Sequence, residues 1–387
     1  MSKTILVLGA GTGGIITAKT LSKKVGNARK SNPVKILVFE KEEKNVFAPS
    51  LLWLMVGKRK PEQVYRNTSK IAGSGIEVVI GNIEKVNPGQ ISVTVKGKEY
   101  KGDYMIVSLG VEQVSEHNLN TYGCDFYTFE GTVKFYEQLQ NFKGGKIAVL
   151  VPSLPFKCPA APYEAAMLVK SFIRKKGLSN TTEISLYTPE QGPMGVAGKE
   201  LSGAVRQMVE MKGITFFPEH QLTAATEKTM TFTNGKTAEY DLLTFTPKHQ
   251  CPAVISKTNL IGKSGWIEPD RNTMETQFPN VYAIGDITSI PLEMGKPLPK
   301  AGVFAHYQAE TVAHNIAQKI TDNPDKNRDK TFNGEGQCFL EMGDGKAGYA
   351  GGNFYGSPLP VVKMKKPGYL WHWSKVWFEK HWFFRYF

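Results

Sequence analysis

Gly9-Ala10-Gly11-Thr12-Gly13-Gly14 lies between a short apolar strand, Thr4–Leu8, and a helical stretch, Ile15–Lys24. A second apolar strand, Lys35–Phe39, follows and ends in Glu40. Strand, G-x-G-x-x-G, helix, strand and acid in that order open a parallel α/β unit that binds a dinucleotide. Gly9 permits the tight turn, Gly11 lets the backbone approach a pyrophosphate, and Gly14 lets the helix pack on the strand. Thr12 opens the helix whose N-terminus faces the phosphates. Glu40 stands where a carboxylate accepts ribose hydroxyls, and Lys41 follows it. The competing reading is a tight turn with incidental glycines.

A second unit begins at Lys146–Glu164, KIAVLVPSLPFKCPAAPYE. It starts as a buried strand, Ile147–Val151, and ends at a helix start. A nucleotide-gripping glycine loop belongs at such a junction. Pro152, Pro155, Cys158, Pro159 and Pro162 stand there instead. The loop is rigid and presents a thiol.

With 387 residues, 41% hydrophobic and 21% charged, the chain has room for two or three folded domains. No apolar run reaches 18 residues, so no spanning helix is expected. No export signal is expected either, because Met1-Ser2-Lys3-Thr4 runs straight into a strand. Cys124, Cys158, Cys251 and Cys338 are far apart and form no C-x-x-C pair, so no metal site is expected. The net charge of +13 fits an acidic partner or a generally basic surface.

Along the chain, Val46–Val56 is apolar enough to pack on a ring system or to form core. Ile76–Ile80 and Ile91–Val95 are expected strands, and Tyr104–Leu109 is another, closed by Gly110. Residues 115–142 hold Cys124 and an aromatic-rich helix. In the second unit Tyr163–Lys175 and Leu201–Lys212 are expected helices, with strands at Glu183–Tyr187 and Ile214–Phe217. Asn234-Gly235 turns a hairpin. Asp241–Phe245 is expected to return the chain to the first sheet, so that the second unit is inserted in the first. Val281–Ile284 is a strand delivering Gly285 and Asp286. Asp286 can accept hydrogen bonds from a polyol chain or cap a helix. Lys300-Ala301-Gly302 leads into a helix, Val303–Ile320, whose N-terminus carries positive potential. Asp322–Lys330 is a charged linker. The fold expected is α/β, with two Rossmann-like domains at 1–113 with 241–325 and at 114–240, and a C-terminal region at 326–387.

The tail, PGYLWHWSKVWFEKHWFFRYF, holds four of the six tryptophans. A helical wheel puts Trp373, Val376, Trp377, Phe383, Phe384 and Phe387 on one face, with Trp371, Phe378 and Trp382 opposite. Aromatics mixed with cations suit a membrane interface. A C-terminal dimerisation helix with buried aromatics is the alternative.

Taken together, the first glycine motif, VYAIGD, PKAG before a helix, CPAAPYE and the late Cys338 resemble the sulfide:quinone oxidoreductase and flavocytochrome c sulfide dehydrogenase flavoproteins. These belong to the two-dinucleotide-binding-domain flavoprotein superfamily. The resemblance covers nearly the whole chain. It implies FAD, held by Gly9, Gly11, Thr12, Gly14, Glu40, Lys41, Pro49, Gly110, Gly285, Asp286, Lys300 and Gly302. It implies that Cys158 and Cys338 are the redox pair that receives hydrosulfide, as a disulfide or a sulfur-bridged link, against the alternative of two structural thiols. Cys124 lies near the position of a third family cysteine that takes part in sulfur transfer, while Cys251 is structural. Relatives that attach FAD through a cysteine carry it near Phe47-Ala48-Pro49-Ser50, where this chain has none. Glu164 can shuttle protons, or cap or salt-bridge its helix. Phe339, Phe354 and Tyr355 are candidates to stack on a membrane quinone, or core. The partners implied are hydrosulfide, a membrane quinone, an anionic membrane surface and a second copy of the chain, with no nucleic acid; the protein would sit on the membrane as a peripheral, monotopic one. The rival activities are a type II NADH:quinone oxidoreductase, whose second acid Glu190 echoes only faintly, a flavocytochrome c-type subunit, and a non-catalytic flavin-binding membrane protein.

Overall fold

The computed structural model describes residues 2–26, 33–321 and 329–387. Residues 322–328, most of the expected charged linker, lie outside the described part. The fold is mixed α/β, built on two five-stranded parallel sheets. The first has the order Val281–Ala283, Tyr104–Val107, Lys3–Leu8, Val34–Glu40, Ile76–Ile80. Val281–Ala283, Tyr104–Val107 and the central strand from Ile5 to Leu8 are almost wholly buried. Such runs of Val, Ile and Leu suit a parallel sheet covered on both faces. The helices Thr12–Lys24 and Gly302–Thr321 bury Ile15, Ile16, Ala309 and Val312 in one cluster with Ile5 and Val7.

The second sheet has the order Cys124–Asp125, Leu242–Phe245, Gly145–Leu150, Thr182–Tyr187, Thr215–Phe217, again all parallel. Its helices are Phe129–Asn141, Ala161–Lys175 and Lys199–Met211. One sequence expectation is corrected here. Leu242–Phe245 does not return the chain to the first sheet; it lies between Cys124–Asp125 and Gly145–Leu150. The return comes with Val281–Ala283, beside Tyr104–Val107. All four residues from Leu242 to Phe245 are buried, and such a strand fits either sheet equally well by pattern.

Val46–Val56 resolves to core. Phe47 and the six residues from Leu51 to Val56 are buried, under a short turn at Ala48–Ser50 and a helix at Leu51–Leu54. Asn234-Gly235 turns the chain between the antiparallel strands Thr229–Phe232 and Thr237–Glu239.

The C-terminal part is an antiparallel sheet, Glu335–Gly343, Lys346–Asn353 and Val361–Gly368, followed by the helix Tyr369–Tyr386. The first of these strands lies against the helix Ala161–Lys175, and the last helix lies on the sheet. That helix is oriented differently from its hydrophobic wheel. Lys375, Glu379, Trp382, Phe383 and Tyr386 point inward. Trp373 and Trp377 are about two-thirds exposed, Leu370 69% and Phe384 88%. Phe383, expected beside Trp373, is buried edge-on against Phe47, and Phe387 is half-buried in the same cluster. Two buried ion pairs decide the rotation. Lys375 reaches Glu164, and Glu379 takes Arg59 at 2.7 Å and the Ser50 hydroxyl.

Candidate active site

The glycine loop leaves the carboxyl end of Lys3–Leu8, with Val34–Glu40 on one side and Tyr104–Val107 on the other. Ligands bind open parallel sheets at such a crevice. A Cβ on Gly14 would lie 1.9 Å from the Gly9 carbonyl oxygen, and one on Gly9 (φ +96°) 2.5 Å from that of Ser108. Those two glycines are required by packing. A Cβ on Gly11 would meet nothing within 4 Å. Its backbone faces open space, as close approach to a pyrophosphate requires. Gly11 caps its helix without any side-chain hydrogen bond, so the first-turn N–H groups are available to an anion. Glu40 accepts from Ala10 N–H at 2.8 Å and Lys41 N–H at 2.8 Å, which fixes its carboxylate against the loop. Gly302, opening the second helix, faces Thr12: a Cβ there would lie 3.7 Å from the Thr12 hydroxyl. Gly110 is left-handed with open space before it. Pro49 and Lys41 are exposed.

Gly285 donates to Gln308 at 2.7 Å, which holds the turn that presents Asp286. The Asp286 Oδ1 is buried without a hydrogen-bond partner, and burial pushes its carboxyl upward against Lys157 and Lys300. Lys300 donates to the carbonyls of Asp286 (2.8 Å) and Thr288 (2.9 Å) and lies 3.4 Å from the Trp266 ring centre. Burial lowers its ammonium to about 8. His249, which the sequence reading missed, is 2% exposed, and neither ring nitrogen has a hydrogen-bond partner. Burial, with Lys157 and Lys300 nearby, lowers its imidazolium to about 3, so it is neutral. Orphaned polar atoms at Asp286 and at His249, both close to Lys157 and Lys300, fit a polar cofactor with hydroxyl groups, as FAD is.

Cys158 is left-handed (φ +52°), and its N–H donates to the Lys300 carbonyl at 2.7 Å. That bond ties the thiol loop of the second sheet to the Lys300 loop of the first. The Lys157 carbonyl accepts the Tyr127 hydroxyl at 2.7 Å, so both polar groups of the peptide unit leading into the cysteine are held. Cys338 lies on the strand Glu335–Gly343, paired with Ala350. All four cysteines are free thiols. Burial pushes the Cys158 thiol up to about 12 and Cys338 higher still, each raised further by the Glu164 charge and eased by Lys375. Charge on Cys158 also raises Cys338. The fold thus brings these two thiols, 180 residues apart, into one electrostatic environment. Cys124 is buried elsewhere in the second sheet, its thiol donating to Gln138 at 3.3 Å, among Lys134, Asp125 and Glu137. Cys251 is buried with the first sheet.

Glu164 sits in the first turn of the helix Ala161–Lys175, 2% exposed. Its Oε1 accepts from the Glu341 N–H and from Lys375 Nζ, both at 2.7 Å. Burial raises the Glu164 carboxyl against the pull of Lys375. Burial alone would lower Lys375, but Glu164 and Glu341 overcome it and the ammonium is held above its usual value. Glu341 is fully buried and holds His372 Nδ1 at 2.8 Å, while its Oε2 has no partner among the described residues. Lys375, Glu341 and His372 are absent from any motif. Two lie on the tail, which sequence patterning reads as outward-facing.

Among the aromatic candidates, Phe354 stands edge-on to Phe304 (5.0 Å) and bridges the two large cores. Tyr355 donates to the Arg271 carbonyl at 2.7 Å beneath the Arg271 guanidinium. Phe339 leans on Tyr349, which stacks on Trp371 at 4.6 Å. No cluster of metal-ligating side chains occurs among the described residues.

Known proteins resemble this chain in sequence and in fold. A family model described as sulfide dehydrogenase (flavocytochrome c) flavoprotein chain, central, matches residues 132–247. The mitochondrial sulfide:quinone oxidoreductase of Mus musculus is 26% identical over 307 residues, 74% of this chain. This chain spans 66% of that relative's own length, just under two thirds. The sulfide-quinone reductase of Aquifex aeolicus is 25% identical over 98% of this chain and 90% of its own. The crystal structure of the Aquifex aeolicus sulfide:quinone oxidoreductase superposes with a TM-score of 0.86 at 23% identity, covering 99% of this chain and 91% of that one. In sequence and in fold the chain is similar to the sulfide:quinone oxidoreductases.

Proposed function

We propose that this protein is a sulfide:quinone oxidoreductase using FAD, the Cys158–Cys338 pair and a membrane quinone. The observation that carries this reading is the Cys158 N–H bond to the Lys300 carbonyl. It sets a thiol, rather than a nucleotide loop, against the edge of the first sheet where Asp286 and the glycine loop stand. Two dinucleotide-type domains, the second inserted in the first, and a C-terminal region from 326 belong to the same reading. The two parallel five-stranded sheets support it.

When bound, FAD supplies a two-electron carrier between sulfur and quinone. The chain's own part begins with a disulfide, or a sulfur-bridged link, between Cys158 and Cys338. Hydrosulfide attacks one sulfur and the S–S bond breaks. One cysteine becomes a persulfide and the other leaves as a thiolate carrying the electron pair. Once that electron pair has passed to the bound FAD, the persulfide and the thiolate would be relinked through the added sulfur, and repetition on the longer bridge ends in release of polysulfide or zero-valent sulfur. A thiol pushed up to about 12 by burial is a poor leaving group, so the cleavage depends on a cation beside the departing sulfur. Lys375 steadies that charge while it lasts. Glu164, already raised by burial, exchanges the accompanying proton at Oε2, since Oε1 is held by Lys375 and the Glu341 N–H. Lys300 opposes negative charge building on the cofactor. Phe354, Tyr355 and Phe339 are the aromatics proposed for the quinone, each also packed on a neighbour: Phe304, the Arg271 carbonyl and Tyr349. The outward Trp373, Trp377 and Leu370 support peripheral membrane contact. No described helix is long and apolar enough to cross a membrane.

An NADH oxidoreductase would need a pyrophosphate at the start of Ala161–Lys175. There Pro162 lacks an N–H and Glu164 repels an anion. Glu190 is already taken by the Tyr163 hydroxyl at 2.5 Å and Thr188 at 3.2 Å. The deciding experiment is anaerobic. Sulfide should bleach the flavin, NADH should not, and added quinone should restore the colour. Bleaching by NADH but not by sulfide would overturn the reading.

A further inference from the structure

Beside the start of the last helix lies an open cavity of about 550 Å³. Arg174, Lys175, Lys212, Lys346, Asp344 and Tyr369 contribute to its wall. Four cations therefore face one carboxylate. That carboxylate is already satisfied: Asp344 takes Arg174 at 2.6 Å, Lys212 at 3.3 Å and the Ser171 hydroxyl at 2.5 Å. These contacts hold the Asp344 carboxyl below its usual range, although burial works against them. Lys175 and Lys346 have no hydrogen-bonded or ion-paired acid among the described residues. Lys346 Nζ lies only over the Tyr369 ring, 5.2 Å from its centre. A concave site with three net positive charges and two unengaged ammonium groups fits an anion of phosphate size.

The neighbourhood narrows the source of that anion. Tyr369 joins the cavity wall to the exposed stripe of the last helix, Leu370, Trp373 and Trp377. A polar anion-binding hollow continuous with an apolar aromatic stripe matches a phospholipid, with its headgroup phosphate in the hollow and its acyl chains along the helix. We propose that this cavity is a specific site for the phosphate of an anionic phospholipid, and that it sets the orientation of the protein on the bilayer. The proposal rests on the reading of the last helix as membrane-contacting, and not on the sulfide chemistry.

The test uses the full FAD-loaded chain with vesicles of phosphatidylcholine alone, or with phosphatidylglycerol added, at about 0.1 M salt. Lys175→Ala/Lys346→Ala should lose about 5-fold in affinity for the anionic vesicles per lysine, and nothing for the neutral ones. Lys85→Ala/Lys236→Ala removes the same charge from exposed positions outside the cavity wall, and should lose far less. Trp373→Ser/Trp377→Ser should weaken binding to both vesicle types alike. Unchanged flavin absorbance checks that each variant is folded. Equal losses in the two lysine pairs would mean general surface charge and overturn the site. A thermal shift with inorganic phosphate that needs Lys175 and Lys346, without any vesicle effect, would overturn the lipid assignment. Failure to bind either vesicle would sink the membrane reading itself, whereas neutral vesicles bound as well as anionic ones would sink only this proposal.

Discussion

Lys375→Met removes the ammonium that sits between two buried carboxylates. Glu164 is 2% exposed and Glu341 fully buried, and Lys375 Nζ lies 2.7 Å from Glu164 Oε1. Removing one partner of a buried pair costs about 3–5 kcal/mol, because the other charge stays desolvated. That is a large part of the roughly 5–15 kcal/mol that holds a domain folded. The variant should therefore unfold at clearly lower urea. Glu164 has a raised folded-state pKa, and losing Lys375 raises it further. Its protonated form is the one the folded state prefers. The stability it contributes is fully present below the ordinary glutamate value of 4.5 and is lost as pH rises through the raised value. The deficit of Lys375→Met should thus be small near pH 4.5 and grow above it. Adding Glu164→Gln should recover at least half of the loss, since an amide carries no stranded charge. Urea denaturation of the two single variants and the double, across pH, completes the cycle. A deficit under about 1 kcal/mol, or no recovery in the double variant, would refute the buried-pair account.

Four further outcomes follow from the geometry. Cys158→Ser and Cys338→Ser should each keep FAD absorbance and lose sulfide-driven bleaching; an active Ser variant would dismiss the dithiol mechanism. In the reduced protein the shift of Cys158 from 9.0 to about 12 leaves about 1000-fold less thiolate at neutral pH, so alkylation followed by mass spectrometry should be slow, and a rate like that of a free thiol would contradict the burial. Gly11→Ala should weaken FAD binding about 10-fold or more with little change in apoprotein stability, because its Cβ enters the space left for the cofactor; Gly14→Ala, meeting the Gly9 carbonyl at 1.9 Å, should instead lower the soluble yield. Asp286→Asn keeps the shape but removes the charge, and should change FAD affinity and its pH dependence while leaving the urea midpoint of the apoprotein nearly unchanged.

The first sheet was legible because its signals are local. A strand, a glycine loop, a helix and an acid lie within 37 residues of chain, each constraining the next. The Cys158 loop was equally visible, but Cys338, proposed to pair with it, was legible only through resemblance. Nothing local to GQCFLEM says that it lies against Ala161–Lys175. The Leu242–Phe245 strand was assigned to the wrong sheet because a fully buried parallel strand carries no mark of its neighbours. The tail misled most. A hydrophobic wheel assumes that Lys and Glu face water, yet Lys375 and Glu379 face inward to partners at Glu164 and Arg59. Partners more than 200 residues away leave no periodic trace.

The same distance has a consequence in time. Glu164 and Lys375 are 211 residues apart. At about 5–20 residues per second on the ribosome, that interval is roughly 10–40 s. Throughout it the helix Ala161–Lys175 exists without the cation that neutralises its first turn, and for most of it Cys158 exists without Cys338. Until Lys375 emerges, Glu164 must stay hydrated or take up a proton, so the nascent second sheet must leave the thiol side of that helix open to water. The Cys158 thiol therefore spends its newborn interval exposed, and the fold does not yet hold it against Cys338.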